Sequence, residues 1–399
     1  MACKEKESVA IIGAGPAGCM CAYYASKNAD VTLFEASSPL YTLLYTGGGR
    51  CNLAYAEYDF KELAKFYPRG EKFLYSVFSK FSTAETLDFF KEIGIETYTQ
   101  DDLRIFPVSN SAKDVREKFL KSLKHCNIIK EKVSDIKKHE QSFSVKTNLN
   151  NYQFDKVVIA IGGHAGFSLA EKLGHIIVEP KPALTGLISA ENFKSLQGVS
   201  LKDVEARIFY QNKKFAPKYD LRGDLRGDLI FTHEGISGPL AYKISSICAR
   251  LEYSKEAPLL LKLNLLREEL NLQDLLNSNP KKDIKNLVSD FVPKSLAEYI
   301  LQVCGINLDE KCCNINGKMR DSILKSLQEF EIKVISPAKE GEVVTSGGVS
   351  LKEIDAKTMQ SKLVNGLYFC GEVIDIDGFC GGFNLQNCWS TGFIASTRG

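Results

Sequence analysis

The chain has 399 residues, and its 51 lysines and arginines nearly balance its 49 aspartates and glutamates. So small a net charge excludes a global field that would recruit nucleic acid or an anionic membrane. With 44% hydrophobic and 25% charged residues, the composition is that of a globular protein, and the length predicts two or three domains.

The sequence contains no membrane or export signal. No apolar run approaches the roughly 18 residues of a membrane-spanning helix, and the apolar run after the charged N-terminus stops at Gly13. That run is too short for a signal sequence. We therefore expect a cytoplasmic protein with no membrane partner and with reduced thiols.

The first motif is a glycine-rich turn between a strand and a helix. Val9–Ile12 has the character of a buried strand, and Gly13–Gly18 follows as G-x-G-x-x-G. A helix is predicted over Ala17–Asn28, and a second strand over Val31–Phe34 ends at Glu35. This order is typical of a dinucleotide-binding fold.

Each residue type in this motif has a physical role. Gly13 allows the tight turn, Gly15 lets the backbone approach a pyrophosphate, and Gly18 lets the helix pack closely on the strand. The helix N-terminus offers free N–H groups to the phosphates. Glu35, 20 residues after Gly15, is placed to accept hydrogen bonds from a ribose diol. The motif alone does not distinguish FAD from NAD.

Three later segments favour FAD. Thr46–Asn52 contains three consecutive glycines, which let a flat ligand lie close to the backbone. Lys156–Gly163 is a buried parallel strand that ends in a glycine pair, and no second G-x-G-x-x-G follows it. Near the C-terminus, a strand ends at Gly371 and Glu372, and a loop then leads to a helix.

The C-terminal segment has the features of a flavin-binding return. Its helix is predicted to open at Gly381 and Gly382 and to run through Ala395. Such a helix N-terminus stabilises negative charge that develops on the flavin pyrimidine. Asp375 and Asp377 in the loop are equally consistent with ligand contact and with a solvated surface.

The middle of the chain predicts supporting domains. Ser82 to Glu85 is a capping box that opens a helix ending near Ile93. The stretches 204–210 and 229–231 have strand character, and 258–330 has helical periodicity. We therefore predict an FAD domain in two parts, 1–186 and 332–399. A β-rich insert at 187–257 and a helical insert at 258–331 lie between them.

The chain resembles the aminoacetone-oxidase-like (BaiN-like) family of bacterial NAD(P)/FAD-dependent oxidoreductases. The resemblance rests on Thr46–Asn52, Phe231–Pro239, Thr345–Val349 and Gly371–Gln386, in matching order over nearly the whole chain. It implies an α/β fold with a Rossmann-like FAD-binding domain built from both chain ends, an inserted small β-rich domain and a helical insert.

The resemblance also implies the cofactor contacts. NAD(P)H is implied as a transient reductant, and no metal site is predicted. The predicted FAD-binding positions are Gly13, Ala14, Gly15, Pro16, Ala17, Gly18, Glu35, Ala36, Gly48, Gly49, Arg50, Cys51, Asn52, Val133, Gly162, Gly163, Gly371, Glu372, Asp375, Gly382, Asn384 and Leu385.

The sequence departs from the family pattern at two places. Thr42 stands where relatives carry a lysine just before the glycine run, which removes one cationic contact. The loop after Gly163 looks short, since a helix is predicted at Ser168–Leu173.

We expect an FAD-dependent oxidoreductase that transfers a hydride through flavin N5 to or from a small organic substrate. His233 is the candidate proton donor and Cys51 the other reactive candidate; a structural histidine and a buried thiol are the alternatives. Two further functions stay open: a flavin-dependent RNA-modifying protein, which the near-neutral charge disfavours, and a non-catalytic flavin-binding sensor or scaffold.

Overall fold

The computed structural model describes residues 6–215, 225–266, 268–338 and 344–396. Contacts divide the chain into two units, one formed by Met1–Lys181 with Thr345–Gly399 and the other by Pro182–Val344. The first unit is therefore built from both ends of the chain, and the second is inserted between them.

The described residues form both strands and α-helices. In order, strands β1 to β20 are Ser8–Ile12, Asp30–Phe34, Ala54–Tyr55, Thr97–Thr99, Arg104–Pro107, Asn127–Ile129, Val133–Lys138, Phe143–Thr147, Asn151–Phe154, Lys156–Ile159, Ile177–Ala183, Leu187–Ser189, Ser200–Tyr210, Lys213–Phe215, Leu225–Phe231, Gly235–Ser237, Leu259–Asn264, Phe330–Pro337, Val344–Val349 and Leu367–Phe369. Helices α1 to α12 are Pro16–Ala25, Phe60–Ala64, Glu71–Phe78, Thr83–Glu92, Ala112–Ser122, Gly163–Lys172, Pro239–Cys248, Leu272–Ser278, Ile284–Val288, Lys294–Val303, Gly317–Gln328 and Phe383–Ser396.

The main sheet of the first unit has five parallel strands in the order β20-β10-β1-β2-β6. Ile12 at the end of β1 lies beside Ile159 in β10, and Ile159 lies beside Phe369 in β20. Strand β1 is buried over four of its five residues, as expected where helices cover both faces of a sheet. The predicted strands are confirmed, although β10 ends at Ile159 rather than at the glycine pair.

Helix α12 packs against α1 at a distance that only glycine permits. A Cβ built on Gly392 would lie 2.5 Å from the carbonyl oxygen of Ala17 and 3.0 Å from the Cβ of Met20. A Cβ on Gly371 would lie 2.6 Å from the Cβ of Ala17. Ten of the fourteen residues of α12 are buried, so this helix is a core element of the unit.

Several thiols lie in the core of the first unit. Cys19, Cys21, Cys370 and Cys388 are all buried. Burial raises the pKa of the Cys19 and Cys388 thiols well above the usual value. These thiols therefore stay protonated and pack as small apolar side chains.

The rest of the first unit consists of small sheets and helices. Two three-stranded antiparallel sheets have the orders β3-β5-β4 and β7-β8-β9, and β11 pairs with β19. Helix α4 begins with the predicted capping box, in which the N–H and hydroxyl of Ser82 both donate to Glu85. It ends at Glu92, and Gly94 follows at φ +80°.

The second unit is built on an antiparallel barrel. Its strands follow the order β13-β15-β16-β12-β18-β17, and β17 pairs back with β13 to close the ring. The short β14 pairs with the last residues of β13. The pairing of Leu261 with Ile208 on one side and with Ile332 on the other shows the closure at β17. A closed barrel leaves no ring strand with an unpaired edge.

The helices of the second unit share one hydrophobic cluster with the barrel. Leu272, Ile284, Leu296 and Ile323 belong to the same cluster as Leu261 in β17. The periodicity between 258 and 330 predicts helices where α8, α9 and α10 lie. The same stretch also contains β17 and ends at the start of β18. The predicted boundary 331/332 therefore falls inside β18, whereas 257/258 falls in the connection just before β17. No helix within the described ranges is long and apolar enough to cross a membrane.

We predict that Gly392→Ala destabilises the first unit. Its methyl group would clash with the Ala17 carbonyl, which lies on rigid backbone, so the free energy of unfolding should fall by about 1–3 kcal/mol. Urea unfolding measures this free energy, and it can be followed by the fluorescence of Trp389, the single tryptophan, which lies in α12. Gly317→Ala is the control, because an added Cβ there meets no atom within 4 Å. Its unfolding is followed by circular dichroism. Equal stability of Gly392→Ala and the wild type would contradict the close packing.

Candidate functional site

The candidate site lies in the first unit, at the carboxyl ends of β1 and β10. The chain leaves the centre of the sheet in opposite directions from these neighbouring strands, which is where open α/β folds bind ligands. Helix α1 starts after Gly15 and α6 after Gly162, and neither has a side-chain cap or an acidic residue in its first turn. Two helix N-termini therefore offer uncapped N–H groups to an anion.

The glycines of the first motif serve two different purposes. Gly13 has φ +104°, and its added Cβ would lie 2.8 Å from Ile161, while one on Gly18 would lie 1.9 Å from the Gly13 carbonyl oxygen. These two glycines are required by the protein's own packing. Gly15 and Gly163, in contrast, have no protein atom within 4 Å of an added Cβ. The open space beside them is a cradle that a ligand would fill.

Glu35 is held at the end of β2 by hydrogen bonds to the backbone. One carboxylate oxygen accepts from the N–H of Ala14 at 3.0 Å, and the other accepts from the N–H and hydroxyl of Ser37 at 2.8 and 2.9 Å. This pairing fixes the carboxylate beside the glycine turn. Each oxygen keeps a lone pair that can accept from a ribose hydroxyl, and Ala36 beside it is exposed.

The glycine run at 47–49 adopts left-handed backbone conformations throughout. Gly47, Gly48 and Gly49 have φ of +56°, +67° and +83°, and a Cβ on Gly48 would meet nothing within 4 Å. Asn52 is buried, and its side-chain oxygen has no hydrogen-bond partner among the described residues. An unpaired buried amide oxygen is a costly feature unless a ligand donor reaches it. The guanidinium carbon of Arg50 lies 4.2 Å from the centre of the Phe106 ring, so the two groups stack.

The structure gives no support to the predicted reactivity of Cys51. Its side chain is fully buried, and burial raises the pKa of the thiol to about 12. The thiolate is the nucleophilic form of cysteine, and at neutral pH this thiol remains protonated. Cys51 has φ +65°, so its backbone, like that of the three glycines, lies in the left-handed region. The buried-thiol alternative fits these observations.

The returning segment after β20 is anchored by an ion pair that the sequence did not reveal. Asp377 is fully buried and accepts a bidentate hydrogen bond from Arg69, which lies 308 residues earlier. Asp375 is also buried. Neither aspartate is therefore part of a solvated loop, and Arg69 with Asp377 fixes the course of this segment.

Glu372 faces an open space deep in the first unit. Its side chain is accessible to solvent through this space. Partial desolvation by the protein around the space, with a smaller contribution from the Asp377 carboxylate, raises the pKa of Glu372 to about 6. A Cβ on Gly162 would lie 3.2 Å from the Cβ of Glu372. The carboxylate therefore lines the same cradle as the N-terminus of α6.

The start of α12 is shaped by its own loop contacts. Asn384 accepts from the N–H of Gly378 at 2.8 Å and donates to its carbonyl oxygen at 3.0 Å, which closes the loop before the helix. A Cβ on Gly382 would lie 2.8 Å from the backbone of Ala54. The side chain of Asn384 is thus occupied, and Leu385 beside it is half-buried.

The remaining predicted positions are dispersed. Val133 is buried at the start of β7, within a small sheet of the first unit. Thr42 is exposed. No loop separates Gly163 from a helix, because α6 begins at Gly163 itself. His233 belongs to the second unit, where it is exposed and lies 3.7 Å from the Glu234 carboxylate.

A buried Ser–His–Glu arrangement also escaped the sequence analysis. The Nδ1 of His175 lies 3.1 Å from Glu353, and its Nε2 lies 3.0 Å from the hydroxyl of Ser361. Ser361 is buried, and its oxygen accepts from the N–H groups of Leu363 and Val364. This hydroxyl is therefore unavailable to a substrate, and the network links structural segments of the first unit.

The residues of the first unit fit an FAD molecule. Two helix N-termini, a fixed Glu35, the open positions at Gly15, Gly48 and Gly163, and the unpaired Asn52 oxygen supply the contacts that phosphates, a ribose and a flat ring need. Among the described residues, the second unit contains no comparable glycine-rich turn between a strand and a helix.

Comparison with known proteins agrees with this description. The model of the family described as "HI0933-like protein Rossmann domain" matches residues 7–398. A Haemophilus influenzae protein named ribosomal RNA dihydrouridine synthase is 30% identical, over 97% of this chain and 96% of its own length. An Escherichia coli protein of the same name is 27% identical over 98% of both chains. A 3-dehydro-bile acid delta(4,6)-reductase of Clostridium scindens is 25% identical over 97% of both chains.

Among solved structures, the open conformation of a flavocytochrome c3 fumarate reductase covers 99% of this chain and 78% of its own chain. The identity is 14% and the TM-score is 0.48. A likeness this low carries no functional conclusion.

We predict that Gly15→Val abolishes cofactor retention without unfolding the protein. An added Cβ at this position meets no protein atom, so the melting temperature without cofactor should stay close to that of the wild type. The side chain would occupy the cradle, and the flavin absorbance per protein should fall at least about tenfold. Gly317→Ala is the control. Retained flavin in Gly15→Val would show that the cradle is not the binding site.

We predict that His175 makes stability fall as pH falls. Burial lowers the pKa of His175, and Glu353 only partly opposes this effect. Below the unfolded-state value of about 6.5, the unfolded chain therefore binds more protons than the folded one. Stability is lost as pH decreases from about 7 through the folded-state pKa, by at most about 1.4 kcal/mol per pH unit for one proton.

His175→Gln should remove this share of the pH dependence. The free energy of unfolding, measured by urea titration between about pH 5 and pH 8, the interval in which histidine usually titrates, tests this. His139→Gln on the exposed β7–β8 turn is the matched control. The same slope in His175→Gln and the wild type would assign the pH dependence to other groups.

Proposed function

The chain belongs to the HI0933-like family of Rossmann-domain proteins, a family of FAD-dependent oxidoreductases, and from this premise we propose that it reduces a carbon–carbon double bond conjugated to a carbonyl group. The observation that carries the proposal is the open dinucleotide cradle of the first unit, in a chain whose relatives have names that share one reaction. Dihydrouridine is uridine with a reduced ring double bond, and a delta(4,6)-reductase of a 3-dehydro compound removes double bonds conjugated to a ketone.

Bound FAD supplies hydride chemistry at its N5 atom. The protein's own part is to bind and orient the cofactor. The N-termini of α1 and α6 would bind the pyrophosphate through backbone N–H groups, and Glu35 would accept from the ribose hydroxyls. The Asn52 oxygen would accept from a donor on the ring or the ribityl chain, and the glycines at 48 and 49 would let a flat ring lie against the backbone.

The reaction also needs a proton. Addition of a hydride to the carbon β to a carbonyl leaves one proton to be added at the α carbon, so that two hydrogens are gained in all. We propose His233 as the donor, since its imidazole is exposed and histidine is the side chain that most often transfers protons in enzymes. NAD(P)H is the proposed source of the hydride, as the family resemblance implies.

A second candidate substrate is uridine in ribosomal RNA. The names of the Haemophilus influenzae and Escherichia coli relatives favour it, and both matches cover nearly the whole chain. The formal net charge of +2 offers little non-specific affinity for RNA. Detection of dihydrouridine in ribosomal RNA treated with the reduced protein, together with salt-dependent binding, would favour this substrate over a small enone.

We expect NADPH to bleach the visible flavin spectrum of the purified protein without oxygen, and an enone to restore it. The product should gain two hydrogens by mass spectrometry. In a parallel experiment the flavin is reduced by dithionite instead of NADPH. The acceptor is then tested independently of the hydride donor. If oxygen alone reoxidises the flavin, the protein is an oxidase. If no reductant and acceptor support turnover and a protein partner binds stably, it is a sensor or scaffold.

We predict that His233→Gln slows flavin reoxidation by the enone about 100-fold and leaves flavin reduction unchanged. Loss of a general acid affects only the half-reaction that consumes the proton. Stopped-flow absorbance measures both rates, and His139→Gln is the control. Equal reoxidation rates in His233→Gln and the wild type would leave His233 with a structural role.

A further inference from the structure

The second unit contains a cavity of about 500 Å³ that lies beside the run Phe231–Pro239. It is formed by β12, the turn between β15 and β16, and the first turn of α7. The described residues that line it include Ile188, Ile230, His233, Glu234, Ser237 and Tyr242. Its volume is within the usual range of small-molecule sites.

Two hydroxyl groups form a donor chain in this cavity. The Ser237 hydroxyl donates to the Tyr242 oxygen at 3.2 Å. The Tyr242 hydroxyl therefore keeps its own proton to donate, and no acceptor for it is found within the described part of the chain. Tyr242 lies in the first turn of α7 and Ser237 at the end of β16, so both oxygens are held on regular elements.

The charge of the cavity selects against anions. Among the lining residues that the structure describes, none is a lysine or arginine, and Glu234 is acidic. The Nε2 atom of the exposed His233 lies 3.7 Å from the Glu234 carboxylate. A phosphate or carboxylate in this space would lack the cationic partner that such groups normally need. The side chains of Ile188 and Ile230 also line the cavity, and they offer an apolar surface to a neutral ring.

We propose that this cavity binds a neutral ring through a carbonyl oxygen, which accepts a hydrogen bond from Tyr242 while Ser237 donates to Tyr242. The assignment of this ligand as a conjugated carbonyl compound rests on the proposed function. A small cyclic enone and the uracil ring share this chemistry. Tyr242 is then the residue that recognises the carbonyl group, and it acts beside the proposed proton donor His233.

The test is calorimetric binding to the oxidised, FAD-loaded protein with no reductant present. The probes are a steroid 4-en-3-one, uridine and uridine monophosphate. We expect the steroid or uridine to bind, and Tyr242→Phe to weaken that binding about fivefold, the loss of one hydrogen bond. Ser237→Ala should weaken it less. Tyr210→Phe, which removes a hydroxyl bonded to the Glu252 carbonyl of the same unit, should leave it unchanged.

The outcomes separate the cavity from the reaction. Binding that Tyr242→Phe weakens, without any reoxidation of reduced flavin by the same probe, supports the cavity and overturns the proposed reaction. Reoxidation with the same KM in Tyr242→Phe, Ser237→Ala and the wild type overturns the cavity and leaves the reaction standing. Tighter binding of uridine monophosphate than of uridine would also overturn it, because a phosphate would then have found a cationic partner.

Discussion

The close contact between α1 and α12 is the constraint on which the first unit depends. Helix α1 follows β1 at the start of the chain, and α12 follows β20 at its end, so their contact joins the two halves of the unit. Gly392 lets the two helix backbones approach, since an added Cβ would lie 2.5 Å from the Ala17 carbonyl oxygen. With β20 held beside β10, Glu372 reaches Gly162, and the returning segment and the N-terminus of α6 line one cradle.

The sequence predicts those parts of the molecule that local chemistry determines. A strand, a glycine turn and a helix form from adjacent residues, so β1, α1 and β2 follow from the pattern around Gly13, and α4 follows from the Ser82 capping box. The ion pair of Arg69 with Asp377 could not be predicted in this way, because its partners lie 308 residues apart and Arg69 belongs to no motif. The closed barrel is equally non-local. Strand β17 is a short alternating stretch among helices, and only its pairing with both β13 and β18 shows that it completes a ring.

The two units contribute different chemistry. The cradle of the first unit is made of backbone N–H groups, glycines and carboxylates, and the Cys51 thiol beside it is buried and protonated. Such a surface binds and orients, and it adds little reactivity of its own. The second unit supplies hydroxyl groups and an exposed histidine on a rigid barrel.

The division of the first unit between both chain ends also fixes the order in which the protein can be completed during synthesis. The second unit is continuous from Pro182 to Val344, so all of its strands are available before β20 and α12 have been translated. The central sheet, in contrast, lacks an edge strand and a core helix until β20 and α12 have been translated. The apolar surfaces of β10 and α1 therefore stay exposed during translation, and aggregation competes with folding during this interval.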